Sequence, residues 1–407
     1  MTKDTIIAGL DLGTSRIKCV VAVRHEDGQV DVIGTGTHPA KGLRNGGVCN
    51  PEDAARSIRA AVEEAELMAG CEINEVFLAI SGRHLESFNS YGMVRVEGET
   101  IAASDLERVV DMARAVRLPA DQAILHVVPQ SYVIDGQPGI SRPLGMSGVR
   151  LEVAAHVILG HQEPIQQIEA CCRDAGLQVV DVLLAPLAQA EVVLTPQSKD
   201  LGVVLVDIGG DTTDIAVFVE GSLQHTAVLP VGGEHITLDI KKCLNTPTVE
   251  AEHLKQTHGA VLDEDMDLDA VVEVPGVGGR RPRHIKRHAL CEIIDARVDE
   301  ILKLVADELQ QVGYPEGLPG GVVFTGGAAN LQGLCELAER VLDMPATLGG
   351  PKGLNGLSDV VQNPRYATAC GLVVCGINQR HMMWYGRQKN VVPRKGIFSM
   401  FQRLFSR

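Results

Sequence analysis

At 407 residues the chain is too long for one ordinary core, so two or more domains are expected. Apolar residues make up 45% and aromatic residues only 3%, which leaves Ala, Val, Leu and Ile to fill the interior. A net charge of −15 argues against non-specific nucleic-acid binding, and no apolar run reaches the ~18 residues that a membrane span requires.

The first predicted element begins in MTKDTIIAGLDLG, where a polar lead passes straight into an apolar strand with neither the h-region nor the cleavage site of a signal peptide. The full run, IIAGLDLGTSRIKCVVAV (Ile6–Val23), is two apolar β-branched stretches around an Asp-x-Gly turn, the pattern of a hairpin. In PEDAARSIRAAVEEAELMA, Asn50 is placed as an N-cap and Pro51 at the first helical position. SDLERVVDMARAV then reads as helix and AILHVVPQSYVI as strand. The run VVLVDIGGDTTDIAVFV (Val203–Val219) repeats the first hairpin, with Asp11 aligned to Asp207 and Gly13 to Gly209, 196 residues apart. Repetition at half-chain distance predicts two similar α/β domains facing one another. AEHLK puts Glu252 and Lys255 on one face of a helix. GGVVFTGGAANLQGL (Gly320–Leu334) reads as strand, Thr-Gly-Gly turn and amphipathic helix. The ten cysteines form no C-x-x-C pair and lie mostly in apolar runs, as reduced, buried thiols of the cytoplasm do.

The paired turns fit phosphate. Glycines allow positive φ and bring backbone N–H groups close to a ligand, while Thr14, Ser15, Thr212 and Thr213 add hydroxyls. Lys18 can set an ammonium beside the phosphates. A carboxylate in each turn would repel phosphate unless a cation lay between them, and Mg²⁺ with its waters is suited to that place.

This order of motifs resembles the actin, DnaK-chaperone and sugar-kinase superfamily, and within it the FtsA family of actin-like bacterial cell-division proteins. The most specific stretches are HVVPQSYVIDGQPGISRPLGMSGVRLEVAAHVI (His126–Ile158) and EVPGVGGRRPRHIKRHALCEIIDARVDEIL, together with the basic, apolar ending RKGIFSMFQRLFSR. The resemblance implies an α/β, actin-like two-domain ATPase fold around one ATP cleft, with a C-terminal amphipathic helix. Subdomain IA would take residues 1–83, 163–197 and a closing segment at 356–385, the last ending in a return helix. Subdomain IC would take 84–162, IIA 198–227 and 311–355, and IIB 228–310, followed by a linker at 386–395 and a membrane-targeting helix at 396–407. By the same resemblance, Asp11 and Asp207 are the Mg-side aspartates. Gly13, Thr14, Ser15, Gly209, Gly210, Thr212 and Thr213 line the phosphates. Glu252 and Lys255 touch the ribose and base, and Gly326 and Gly327 wall the adenine.

Hydrolysis is expected to be weak or absent. Chaperone and MreB relatives carry an acid before a proline on the helix leading to the second hairpin; here LLAPLAQAEVVL places Ala185 before Pro186. Gln189 and Glu191 are near in sequence, the latter read as a helix-surface carboxylate, and Asp211 and Asp214 are possible bases from the other side. A small-molecule kinase or a PilM-like pilus-assembly scaffold of the same fold is the alternative. Neither of those accounts for the ending. Three of the chain's seven Phe fall in the last ten residues, and after Asp359 there are eight Lys and Arg and no acid. At about 100° per residue, Ile397, Phe398, Met400, Phe401, Leu404 and Phe405 fall within an arc of roughly 160°, with Arg403 and Arg407 outside it. That is an interfacial helix suited to an anionic membrane surface. The resemblance then implies a peripheral protein on the cytoplasmic face of the inner membrane at midcell. It would polymerise with itself, tether the FtsZ ring through the acidic FtsZ tail and recruit later division proteins. Arg283 and Arg287, in the basic cluster Gly278–His288, are the expected contacts for that tail, since arginine forks bind carboxylates bidentately.

Overall fold

Each Asp-x-Gly run folds as an antiparallel hairpin, and each hairpin seeds a sheet of the same plan. A computed structural model describes residues 5–26, 28–262 and 269–378. The predicted linker and amphipathic helix, with Ile397, Phe398, Phe401, Arg403, Leu404 and Phe405, lie outside the described residues. The chain divides into two compact units, one built from Met1–Leu85 and Gln162–Gln379, the other containing Glu86–His161.

In the first unit one sheet runs Gln178–Leu184, Glu75–Ile80, Thr5–Leu12, Arg16–Arg24, Val30–Pro39 and Asn355–Gly356 in spatial order. The other runs Ser222–Leu229, Thr213–Val219, Val203–Ile208, Val322–Thr325 and Ala346–Leu348. Both consist of a three-stranded antiparallel meander joined through its first strand to parallel strands that arrive by helical crossovers. Crossovers of this kind leave the loops after the parallel strands at one sheet edge, where ligands of α/β sheets bind.

Small residues let helices lie close on the first sheet, in keeping with the scarcity of aromatics. Asn50 caps helix Pro51–Ala69 by accepting the Asp53 N–H at 3.2 Å, Pro51 occupies its first turn and Gly70 ends it at φ 67°. A Cβ on Gly36 would stand 1.9 Å from the Ala61 carbonyl oxygen of that helix. Across the sheet, helix Ala367–Asn378 crosses Gly9, where a Cβ would meet the Ala369 carbonyl at 2.4 Å, and touches helix Ala185–Val193 through Gly371. Six of the ten cysteines are buried and all are free. The third glycine turn departs from expectation. Strand Val322–Thr325 leads into a 3-10 turn, Ala328–Asn330, and the helix begins only at Leu334, after Gly333 breaks the path at φ 84°.

The second unit is a four-stranded sheet ordered Leu85–Arg95, Arg150–His161, Gln122–Ile134 and Gln137–Ile140, with helix Ala103–Arg114 packed on it. Its core joins Leu106, Val109 and Val110 of the helix to Val127, Leu151, Val153 and Val157 of the sheet. Pro129 is tolerated in its strand because it adjoins a bulge, where a missing N–H costs no ladder bond.

Candidate functional site

The register of the hairpins decides which side chains share a face. Asp11 lies opposite Lys18 and Asp207 opposite Asp214, while Leu12–Ile17 and Ile208–Thr213 are the next pairs. Successive side chains alternate faces, so Ile208 and Thr213 share the core side and Asp207 and Asp214 the other. Thr213 is therefore a scaffold contact rather than a phosphate donor: it is fully buried and its hydroxyl donates to the Val231 carbonyl at 2.8 Å. Lys18 sits 2.5 Å from Asp11 Oδ2, with both side chains largely shielded from water.

The two glycine turns meet. The Asp211 N–H donates to Thr14 Oγ1 at 3.1 Å, and a Cβ on Gly210 would stand 2.8 Å from that oxygen and 3.2 Å from Ser15 Cβ. Gly13 is equally constrained, since a Cβ there would meet the Arg16 carbonyl at 2.7 Å. Within the second turn the Gly209 N–H donates to the Thr212 carbonyl, and the Gly209 and Gly210 carbonyls accept from Gly233 and Glu234. Gly232 and Gly233, at the start of helix Gly233–Leu244, thus complete the turn. The signal VGGEH before a helix with no side-chain cap marked them in the sequence.

Glu252 and Lys255 do share a face of helix Thr248–His258, and their ion pair is 2.7 Å long. Lys255 Nζ also donates to the Gly233 carbonyl at 2.9 Å and to Thr237 Oγ1 at 2.8 Å, and Thr237 donates in turn to Glu252. Lys255 thus ties the pair directly to Gly233 of the second glycine turn, and Thr237 bridges its two members. Burial raises the Glu252 carboxyl, but the Lys255 ammonium and three hydrogen bonds outweigh that and hold it below its usual range. Gly233 also abuts Ala328, which brings in the third turn. Gly326 adopts φ 92°, and a Cβ there would lie 1.9 Å from Asp207 Oδ1; Gly327 faces open space.

Charge accumulates beneath the turns. Burial pushes Asp207 up to about 6, with Asp11 adding to the effect and a hydrogen bond from Gln189 opposing it. Burial and the Asp207 charge push Asp214 up to about 8, although Ser81 Oγ lies 2.6 Å from its oxygens. Gln189 is fully buried at the base of the site. Glu191 is not a surface carboxylate: its side chain is nearly buried and pairs with Lys199 at 3.1 Å. Among the described residues no three His, Cys, Asp or Glu side chains are grouped to hold a metal. Mg²⁺ nonetheless suits the donors present, because it commonly takes one or two carboxylates and completes its shell with phosphate oxygens and water. The buried Oδ1 of Asp207, which has no hydrogen-bond partner among the described residues, is such an oxygen donor.

Comparison with known proteins decides the family. The family model described as Cell division protein FtsA matches residues 204–371, and that of the SHS2 domain inserted in FtsA matches residues 82–159. The chain is 46% identical over 375 residues to Cell division protein FtsA of Pseudomonas aeruginosa, covering 92% of this chain and 90% of the relative. It is 41% identical over 382 residues to that of Escherichia coli K12, covering 92% and 91%. The chain belongs to the FtsA family.

The solved structures share the fold at lower identity. The PilM–PilN type IV pilus biogenesis complex matches with a TM-score of 0.67 at 19% identity, over 91% of this chain and 98% of that one. MreB5 of Spiroplasma citri bound to AMPPNP matches with 0.57 at 13% identity, over 94% and 98%. The FtsA fold here is thus the actin-like one.

In this FtsA-family chain the two arginines expected to meet a partner have work inside the fold. Arg283 donates to the carbonyl of Leu244, the last residue of helix Gly233–Leu244. Arg287 donates at 2.9 Å to the carbonyl of His258, the last residue of helix Thr248–His258. Each places a cation at the negative end of a helix, satisfying a carbonyl the helix leaves unpaired. Arg280 and Arg281 are exposed beside them.

Proposed function

We propose that this FtsA-family protein binds Mg-ATP where its three glycine turns converge. Asp11 and Asp207 would hold the metal's waters. Gly13, Thr14, Ser15, Lys18, Gly209, Gly210 and Thr212 would bind phosphates, Glu252 and Lys255 would reach the ribose and base, and Gly326 and Gly327 would back the adenine. The observation that carries the reading is the meeting of the Asp11 and Asp207 turns with Gly233, Lys255 and Gly326. Phosphate entering between the turns would take over the Thr14 hydroxyl and the Asp211 N–H from each other, and would draw Lys18 from Asp11. Hydrolysis is weak or absent, because Ala185 replaces the acid that would orient water.

Bound to ATP, the protein polymerises, holds the FtsZ ring at the cytoplasmic face of the inner membrane and recruits later division proteins. Family membership supports this reading, as does the basic, apolar ending. Self-association would be head to tail, with segment 84–162 at one end of the contact. Exposed Tyr91 and Met93 on its outermost strand offer apolar area for that contact. The test is calorimetry of ATP with MgCl2. Asp207→Ala combined with Gly327→Asp removes one anchor and sets a carboxylate in the open space at Gly327, so binding should disappear while the fold persists. Affinity like that of the unmodified protein in that double variant overturns the site.

A further inference from the structure

We propose that Gln189 is a positioning residue, which fixes the rotamer of Asp207 through its amide nitrogen and receives a metal-held water at its amide oxygen. The inference rests on the Mg-nucleotide reading of the cleft. Gln189 lies on helix Ala185–Val193, whose other buried residues are Ala185, Pro186, Leu187, Ala188, Ala190, Val192 and Val193. A fully buried glutamine in so apolar a helix needs partners for two donors and one acceptor oxygen. Its donors are satisfied: Nε2 bonds Asp207 Oδ2 and, at 2.8 Å, Thr368 Oγ1 of helix Ala367–Asn378. An ionised carboxylate only accepts, so the NH2 group must face Asp207, and the amide cannot be flipped. That orientation leaves Gln189 Oε1 buried without a partner among the described residues, beside an Asp207 whose Oδ1 is in the same condition. Two such acceptors on bonded neighbours call for a hydrogen donor between protein and ligand. Water on Mg²⁺ supplies two hydrogens, and Mg²⁺ keeps several of its waters in protein sites.

Packing alone does not require the glutamine. The two helices already touch through Gly371, where a Cβ would stand 2.0 Å from the Ala188 carbonyl, so an apolar side chain at position 189 would serve the contact. Gly326 is the second half of the device. It leaves the space around Asp207 Oδ1 that any side chain there would fill.

The test uses the full chain and reads one ratio, ATP affinity with saturating MgCl2 over ATP affinity with EDTA, by calorimetry. Gln189→Leu should lower that ratio by about tenfold to a hundredfold, the loss seen when a residue orienting a metal's ligand is removed, with no fall in the unfolding temperature of the nucleotide-free protein. In an Asp207→Asn background the same substitution should add nothing, because the two side chains act as one unit. If Gln189→Leu fails to fold, Gln189→Glu keeps the shape but, ionised, cannot donate to Asp207, and it should lower the ratio equally. A ratio unchanged in either folded variant, or a full additional loss in the Asp207→Asn background, overturns the proposal. If the unmodified protein binds ATP equally with and without Mg²⁺, the nucleotide site stands and this inference falls. If it binds no ATP at all, the nucleotide reading itself has failed.

Discussion

Asp214 shows how one position in a strand sets the chemistry around it. It occupies in the second hairpin the place that Lys18 holds in the first, opposite the turn's aspartate. One hairpin thus pairs acid with base and the other acid with acid. Asp214 is 3% exposed and its carboxyl is pushed from 3.8 up to about 8, so the folded protein holds a proton there that the unfolded chain releases. The folded form therefore binds more protons between those values, and its stability falls as pH rises through them. Asp214→Asn removes the titration while keeping a polar group for Ser81. Its stability relative to the unmodified protein should rise by at least about 1.4 kcal/mol between about pH 5 and about pH 8, one pKa unit's worth. Urea unfolding at the two pH values checks this, and a pH-independent difference would show that the charge is not buried. The sequence offered Asp11, Asp207 and the glycines as candidates because the Asp-x-Gly turn, structural when single, recurs aligned and with hydroxyls 196 residues on. The correction to Thr213 was not legible there: counting by twos from Asp207 puts Thr213 on the Asp207 face, and only the pairing across the turn, Ile208 opposite Thr213, moves it to the core side. Gln189 was legible only as a neighbour of the expected water-orienting position and Thr237 not at all, because Asp207, Thr368, Glu252 and Lys255, their side-chain partners, lie 15 or more residues away.

Among the elements, the helices of the 228–310 segment depend on their neighbours for their ends. Helix Gly233–Leu244 stops at Asn245, in a left-handed conformation, and Arg283 supplies the donor beyond it. Arg287 does the same for helix Thr248–His258. A basic cluster read as a partner's docking site therefore contains two kinds of arginine, and substitution separates them. Arg283→Glu and Arg287→Glu should each lower folding stability by about 1 kcal/mol through loss of a cation at a helix end. Arg280→Glu with Arg281→Glu should leave stability unchanged and weaken binding of an acidic FtsZ-tail peptide at least about tenfold, roughly 1.4 kcal/mol. Chemical denaturation and peptide titration on the same samples distinguish the two roles, and equal peptide affinity in the second variant would leave the cluster a structural feature only. Helix starts were legible here from Asn50 and Pro51, and strands from their alternation. The delayed helix after Gly326 was not, since Gly333 reads in sequence as one more small residue in an amphipathic run.

At the scale of the whole molecule the repeated sheet was the most legible feature, because a duplicated hairpin at half-chain distance leaves little choice of architecture. The last residues lie outside the described ones, and their reading as an anchor rests on charge and on the arc of apolar side chains. Phe401→Glu with Phe405→Glu should leave ATP affinity and unfolding unchanged and abolish flotation with anionic liposomes, where many weak anchors along a polymer would otherwise add up. Flotation of that variant would move the anchor elsewhere. Helix Ala367–Asn378 is where those residues join the fold. Ten of its twelve residues are buried, and Arg24 donates to the carbonyl of Ile377 at 3.3 Å. Were the ending the anchor proposed above, a pull on it would enter the body through this helix, which packs on strand Thr5–Leu12. Its first turn carries Thr368, one hydrogen bond from Gln189 and two from Asp207. Such a load would reach, two hydrogen bonds on, the carboxylate proposed for the metal, so that tension and nucleotide would act on one part of the protein.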